Sequence, residues 1–109
     1  MGLRFAEMQE MYSGIVKRFN KIEGQPWQAQ GAMIELTKQV GELAKQVMLK
    51  EKYYAWTGDE EEVKERLGNE MADVIAQVMR LAEYYQIDLE QAFIEAREDE
   101  ENYLRSRNV

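Results

Sequence analysis

The chain has 109 residues, no cysteine, no histidine and a formal net charge of -7. Its length points to one domain, residues 1–109, and the missing cysteine excludes disulfides, thiolate zinc sites and cysteine nucleophiles. The missing histidine removes the commonest general base and the commonest transition-metal ligand, so any metal site must use oxygen ligands, which favours magnesium, manganese or calcium.

The acidic balance argues against nucleic acid as a partner. No segment approaches the roughly 18–20 apolar residues of a membrane span, and Met1 to Glu10 lacks the apolar core of a signal peptide. A cytoplasmic protein that does not enter membranes is the simplest reading.

Apolar residues recur at helical spacing nearly everywhere. The first helix is predicted from about Leu3 to Ile22. Its residues Phe5, Met8, Tyr12, Ile15, Phe19 and Ile22 step by threes and fours into one seam-like stripe. Gly24-Gln25-Pro26 breaks the chain. A second helix runs from about Trp27 to Lys50, with Met33, Leu36, Val40, Leu43 and Val47 on its apolar face. Tyr53 to Gly58 reads as a loop. Asp59 can cap a third helix whose first turn carries Glu60, Glu61 and Glu62, where the helix dipole favours negative charge. Gly68 is expected to loosen this helix before the strongly helical stretch Asn69 to Tyr85. Gln86-Ile87 makes a turn, Asp88 caps a fourth helix, and Gln91 three residues later completes a capping-box pattern. No segment reads as a strand. The fold class is therefore all-α, an antiparallel four-helix bundle-like arrangement completed by oligomerisation.

Two polar strips stand out. At about 100° per residue, Glu35, Gln39, Glu42 and Gln46 share one strip of the second helix, and Glu70, Asp73 and Gln77 share another on the third. Side chains three or four apart are neighbours, so Glu70 and Asp73 can share a cation or hold two adjacent ones. The residues around them, Met71, Ala72, Val74, Ile75, Ala76, Val78 and Met79, are apolar, so this stretch is expected to be buried. A buried carboxylate is costly unless paired, hydrogen-bonded or on a metal. Otherwise, acidic pairs at this spacing are solvated faces or salt bridges. Magnesium suits such a site, because it binds through few carboxylates together with substrate phosphates. Without histidine, a carboxylate would act as general base or the metal would supply hydroxide.

Three segments, Val40-Gly41-Glu42-Leu43-Ala44, Asn69-Glu70-Met71-Ala72-Asp73-Val74 and Ile87-Asp88-Leu89-Glu90-Gln91-Ala92, carry a resemblance. Together they resemble the MazG-like nucleotide pyrophosphohydrolases of the all-α NTP pyrophosphatase superfamily, over roughly Trp27 to Ala96. That family has a Glu-x-x-Glu on one helix and a Glu-x-x-Asp on the next. These residues bind magnesium, and the enzymes hydrolyse (d)NTPs to the monophosphate and pyrophosphate. The resemblance implies that Glu42, Glu70 and Asp73 are the catalytic metal ligands. The first Glu of the pattern falls on Gln39, preceded by Lys38. Glu35 can supply the missing carboxylate, Lys38 can turn toward phosphate, or the site has decayed. The family's nucleotide-contacting Lys and Asn fall on Ala96 and Glu100, with Arg97 and Asn102 as substitutes after a register shift.

The expectation is a magnesium-dependent (manganese as alternative) nucleoside triphosphate pyrophosphohydrolase. Its metal set is Glu42, Glu70, Asp73, Gln39 and Glu35, and its substrate contacts are Trp27, Lys38, Lys45 and Arg97. The alternative is a catalytically degenerate protein of that fold that binds nucleotides or another protein. Tyr53, Tyr54 and Trp56, with Trp27, are of the type that stacks on a base, although such residues more often pack. Lys50 and Lys52 are by default solvated. The run Glu98 to Glu101 reads as a solvated face, with Arg105 and Arg107 able to pair with it. The stripe on the first helix suits a subunit interface, giving a homodimer or a dimer of dimers.

Overall fold

The computed structural model describes residues 4–24, 28–54 and 58–109. It contains four helices in chain order: α1 (Phe5–Asn20), α2 (Ala29–Lys50), α3 (Glu60–Tyr85) and α4 (Leu89–Ser106). Strands are absent among the described residues. Trp27 and Trp56, and the break at Gln25-Pro26, lie outside the described residues.

Local chemistry explains where the helices begin and end. The Asp59 carboxylate accepts the backbone N–H of Glu61 at 3.0 Å and opens α3, with three glutamates in the first turn. Asp88 accepts the N–H of Gln91 at 3.1 Å and opens α4. The Gln91 side chain does not return to Asp88; it donates to Glu95 at 3.1 Å, so only half of the capping box forms. Two non-glycine residues in the left-handed region close α2 and α3. Lys52 (φ 61) and Gln86 (φ 53) each turn the chain so that the next N–H reaches back, Tyr53 to the Met48 carbonyl at 3.0 Å and Ile87 to the Ala82 carbonyl at 3.1 Å. Both are Schellman-type ends. Gly68 does not interrupt α3, which is continuous for 26 residues, since one glycine costs only about 1 kcal/mol within a helix that tertiary packing supports.

The pairing of α2 with α3 is by far the most extensive; α1 with α3 is smaller, and α1 with α4 smaller again. The buried side of α3 centres on Val63, Met79, Arg80 and Ala82, and that of α2 on Ala32 and Gln46. Arg80 of α3 ties down the end of α1. Its guanidinium donates to both carboxylate oxygens of Glu23, at 2.8 and 3.1 Å, and sits 5.9 Å from the Phe19 ring centre. At the other end of α1, the Gln9 amide donates to the Ile87 carbonyl at 2.7 Å and its oxygen accepts the Leu89 N–H at 3.1 Å. The Phe5 and Phe93 rings stack with centres 6.5 Å apart.

The inward faces match those predicted only in part: Phe5, Tyr12 and Ile15 of the α1 stripe and Leu36 and Leu43 of the α2 face are half-buried. On α1 the buried residue is Val16, outside the predicted stripe, whose members Phe19 and Ile22 remain exposed. On α2, Met33, Val40 and Val47 are exposed, while Leu36, Gln39, Leu43 and Gln46 turn inward. A helix buries the face its neighbour covers, and here that face takes Leu36 and Leu43 of the predicted stripe together with Gln39 and Gln46 of the polar strip, leaving Glu42 exposed. On α3, Met71 and Ile75 are exposed instead of buried. No α4 residue is buried. The radius of gyration is 17.3 Å, against about 13 Å for a compact domain of this length. No helix among the described residues is long and apolar enough to cross a membrane.

Removing one partner of a buried ion pair leaves the other charge stranded. Glu23→Ala is therefore expected to destabilise the protein by about 3 kcal/mol in urea unfolding. A change under about 1 kcal/mol, the scale of an exposed pair, would show that the Arg80–Glu23 contact does not hold α1 in place.

Candidate functional site

The two polar strips meet in the seam between α2 and α3. Ala29 and Met33 of α2 line a cavity with Leu81 and Tyr85 of α3, so the helices run antiparallel. Equal rise along both helices then brings Gln77 about level with Thr37, Asp73 with Gly41 and Glu70 with Ala44.

The depth of the strips is uneven. Gln46 is 7% exposed. Glu35, Gln39, Glu70 and Gln77 are half-buried, whereas Glu42 and Asp73 are exposed. The predicted metal set is thus split between half-buried members (Gln39, Glu35, Glu70) and exposed ones (Glu42, Asp73). Gln39 and Glu35 form a unit: the Gln39 amide donates to the Glu35 carboxylate at 3.0 Å, and the Lys38 ammonium lies 3.7 Å from the same oxygen. That contact orients the Gln39 amide and leaves its carbonyl oxygen without a donor in the unit. Lys38 is turned to Glu35, the position the sequence suggested as a replacement for the missing glutamate.

The seam also carries acceptors without donors. Among the described residues, Gln46 Oε1, Glu70 Oε2 and Gln77 Oε1 are buried and make no hydrogen bond. Buried polar atoms are nearly always satisfied, and each exception carries a desolvation cost of about 1–3 kcal/mol. The three are accepting oxygens on the two strips; Asn20 Oδ1 and Tyr84 Oη, off the strips, are likewise buried and without a hydrogen bond. Gln46 and Gln77 fall on those strips in the sequence, but the carboxylates are the stronger metal-ligand signal and drew the choice away from them.

The remaining predicted contacts are dispersed. Lys45 is exposed. Arg97 lies on α4 and pairs with Glu101 at 3.8 Å, and Arg105 reaches the same residue at 3.3 Å. Tyr53 is exposed, and the Tyr54 hydroxyl contacts the Met48 sulfur at 3.8 Å. Lys52 pairs with Glu60 at 3.4 Å.

Among the described residues no three acidic side chains converge tightly enough to hold a metal ion unaided. The donor set suits a cation that brings ligands of its own. Magnesium keeps waters and phosphate oxygens and needs only one or two carboxylates, so Glu70 with glutamine carbonyls matches a magnesium–phosphate complex better than a bare ion. No family model, curated protein or solved structure matches the chain.

Replacing Glu70 by the similarly sized Met removes an unpartnered buried oxygen. In the presence of chelator, Glu70→Met is expected to stabilise the protein by about 1 kcal/mol, read from the urea midpoint. A loss of stability would mean that the carboxylate is paired in the free protein.

Proposed function

We propose that the chain is a magnesium-dependent nucleoside triphosphate pyrophosphohydrolase whose site lies across the seam of α2 and α3. The observation that carries this reading is the buried, donor-less oxygen of Glu70, set among further donor-less oxygens on the two matched strips. The resemblance of Val40–Ala44, Asn69–Val74 and Ile87–Ala92 to the MazG-like enzymes supports it.

In this reading Glu42, Glu70 and Asp73 would hold the ion, with Gln39 or Glu35 at the outer positions. When bound, magnesium supplies neutralisation of phosphate charge. The chain's own residues do the rest. Glu42 and Asp73 are exposed, so an ion they hold would be open to a charged triphosphate from solvent. Glu70 has a carboxylate oxygen free to accept a proton from water. The Gln39–Glu35 hydrogen bond orients those two side chains, and positioning of that kind is a large part of what such a site contributes. Water adds to a phosphorus, the phosphoanhydride bond breaks, and the nucleotide leaves as monophosphate with pyrophosphate as the second product. Association as a homodimer or a dimer of dimers belongs to this reading.

A second reading keeps the seam as a binding site without turnover. It is favoured by the neutral Gln39 at the first-motif position and by the absence, among the described residues, of three converging acids.

Pyrophosphate release measured over the common NTPs and dNTPs, with magnesium or manganese, tests the first reading. Turnover is expected with at least one, falling by about two orders of magnitude in Glu70→Gln. No turnover with any nucleotide sinks it. Calorimetric binding without turnover, with activity gained in Gln39→Glu, would select the second.

A further inference from the structure

The donor-less oxygens of the seam are too far apart to serve one ion. Glu70 and Gln77 share one face of α3 but stand about 10 Å apart along its axis. Helical side chains all lean toward the N-terminus, so their tips keep that spacing. Two ligands of one magnesium, each about 2.1 Å from the metal, lie within about 4.2 Å of each other. An ion held by Glu70 therefore leaves the buried Gln77 Oε1 unsatisfied.

The antiparallel register places Gln77 about level with Thr37, between Glu35 and Gln39. The protein's own donors there are already taken. The Thr37 hydroxyl donates to the Met33 carbonyl at 3.0 Å, the Gln39 amide donates to Glu35 at 3.0 Å, and Lys38 lies 3.7 Å from the same carboxylate. What is left is accepting: Gln77 Oε1 and the carbonyl oxygen of Gln39. Ionised phosphate offers acceptors and not donors, so this stretch calls for a neutral group carrying a hydroxyl or an N–H.

The seam changes character again one turn further on. Ala29, Met33, Ile34, Leu81 and Tyr85, with Gln30, line a cavity of about 420 Å³ between α2 and α3. That is the size of a small-ligand pocket, and apolar walls with one aromatic ring suit a flat heterocycle. Along the seam the order is thus carboxylates, then free carbonyl oxygens, then an apolar pocket. A nucleotide has the same order: phosphates, sugar hydroxyls, base.

We propose that Gln77, with Gln39, receives the ribose hydroxyls and that the cavity beyond takes the base, so that the site selects ribonucleotides over deoxyribonucleotides and discriminates little between bases. The assignment rests on the seam being a nucleotide site, and adds which part of the substrate that site recognises. The 2′-hydroxyl donates to Gln77 Oε1, whereas a deoxyribonucleotide leaves that buried oxygen without a donor. Among the described residues, the polar groups at the cavity, Gln30 and the Tyr85 hydroxyl, belong to exposed side chains, where water competes with any contact to a base.

Calorimetry on the full chain, with magnesium and the uncleavable α,β-methylene analogues of ATP, dATP, CTP and dCTP, tests it. The ribonucleotide of each pair is expected to bind about tenfold or more tightly than its deoxy form, with ATP and CTP within about threefold of each other. Gln77→Leu removes only an unpartnered oxygen and is expected to bring both ribo-to-deoxy ratios to about one. Should Gln77→Leu not fold, the 2′-fluoro form of the ATP analogue decides in the unaltered chain. It keeps a polar atom at that position but cannot donate, and is expected to bind no more tightly than the deoxy form. Ratios near one in the unaltered chain, tight binding of the 2′-fluoro form, or a preference between bases that Gln77→Leu abolishes would each overturn the proposal and leave the nucleotide site standing. Binding of none of the analogues overturns both.

Discussion

Two long antiparallel helices, α2 and α3, make the one interface on which the other elements depend. Its apolar positions, such as Leu36, Leu43, Leu67 and Val74, alternate with Gln39, Gln46, Glu70 and Gln77, so the contact that holds the protomer together also takes polar groups out of water. Apolar burial at about 25 cal/mol per Å² must therefore offset several unpaired acceptors. Such a seam is kept at a cost in stability, and a ligand that satisfies its oxygens recovers part of that cost. α1 is then held across the far end of α3 by Arg80 and Glu23 and at its own start by Gln9, two polar fastenings separated by the half-buried Tyr12 and Ile15.

The helices themselves were legible in the sequence. Asp59 and Asp88 mark the starts of α3 and α4, and the turn at Gln86-Ile87 is where it was predicted. The faces were less so. Periodicity finds the most apolar stripe of a helix but not which neighbour takes it. On α1 and α2 the protomer buries strips containing Gln9, Asn20, Gln39 and Gln46, and leaves Phe19, Ile22, Met33 and Val40 exposed. The interior takes part of each predicted stripe, Tyr12 and Ile15 on α1 and Leu36 and Leu43 on α2, together with the polar residues one step round the helix.

Half of the candidate site could be read in the same way. The strips themselves follow from helical spacing, and the structure brings them to one seam. Depth along a strip does not follow from spacing, because a crossing helix covers some turns and not others. Glu42 and Asp73 are left exposed while Gln46, neutral and easily overlooked, is the most buried member. A search that weighs side chains by charge favours the exposed acids, whereas hydrogen-bond accounting finds the glutamines.

The central claim is that the α2–α3 seam receives a divalent cation together with its phosphates. Manganese, which takes the same oxygen ligands, relaxes nearby nuclei strongly, so side-chain amide NMR spectra recorded with manganese and a non-hydrolysable nucleoside triphosphate test it most directly. The account predicts selective broadening of the Gln39, Gln46 and Gln77 amides, lost in Glu70→Met, with Gln9 and Gln91 unaffected. Broadening that tracks the acidic face Glu98 to Glu101 of α4, or none at any glutamine of the seam, would contradict it.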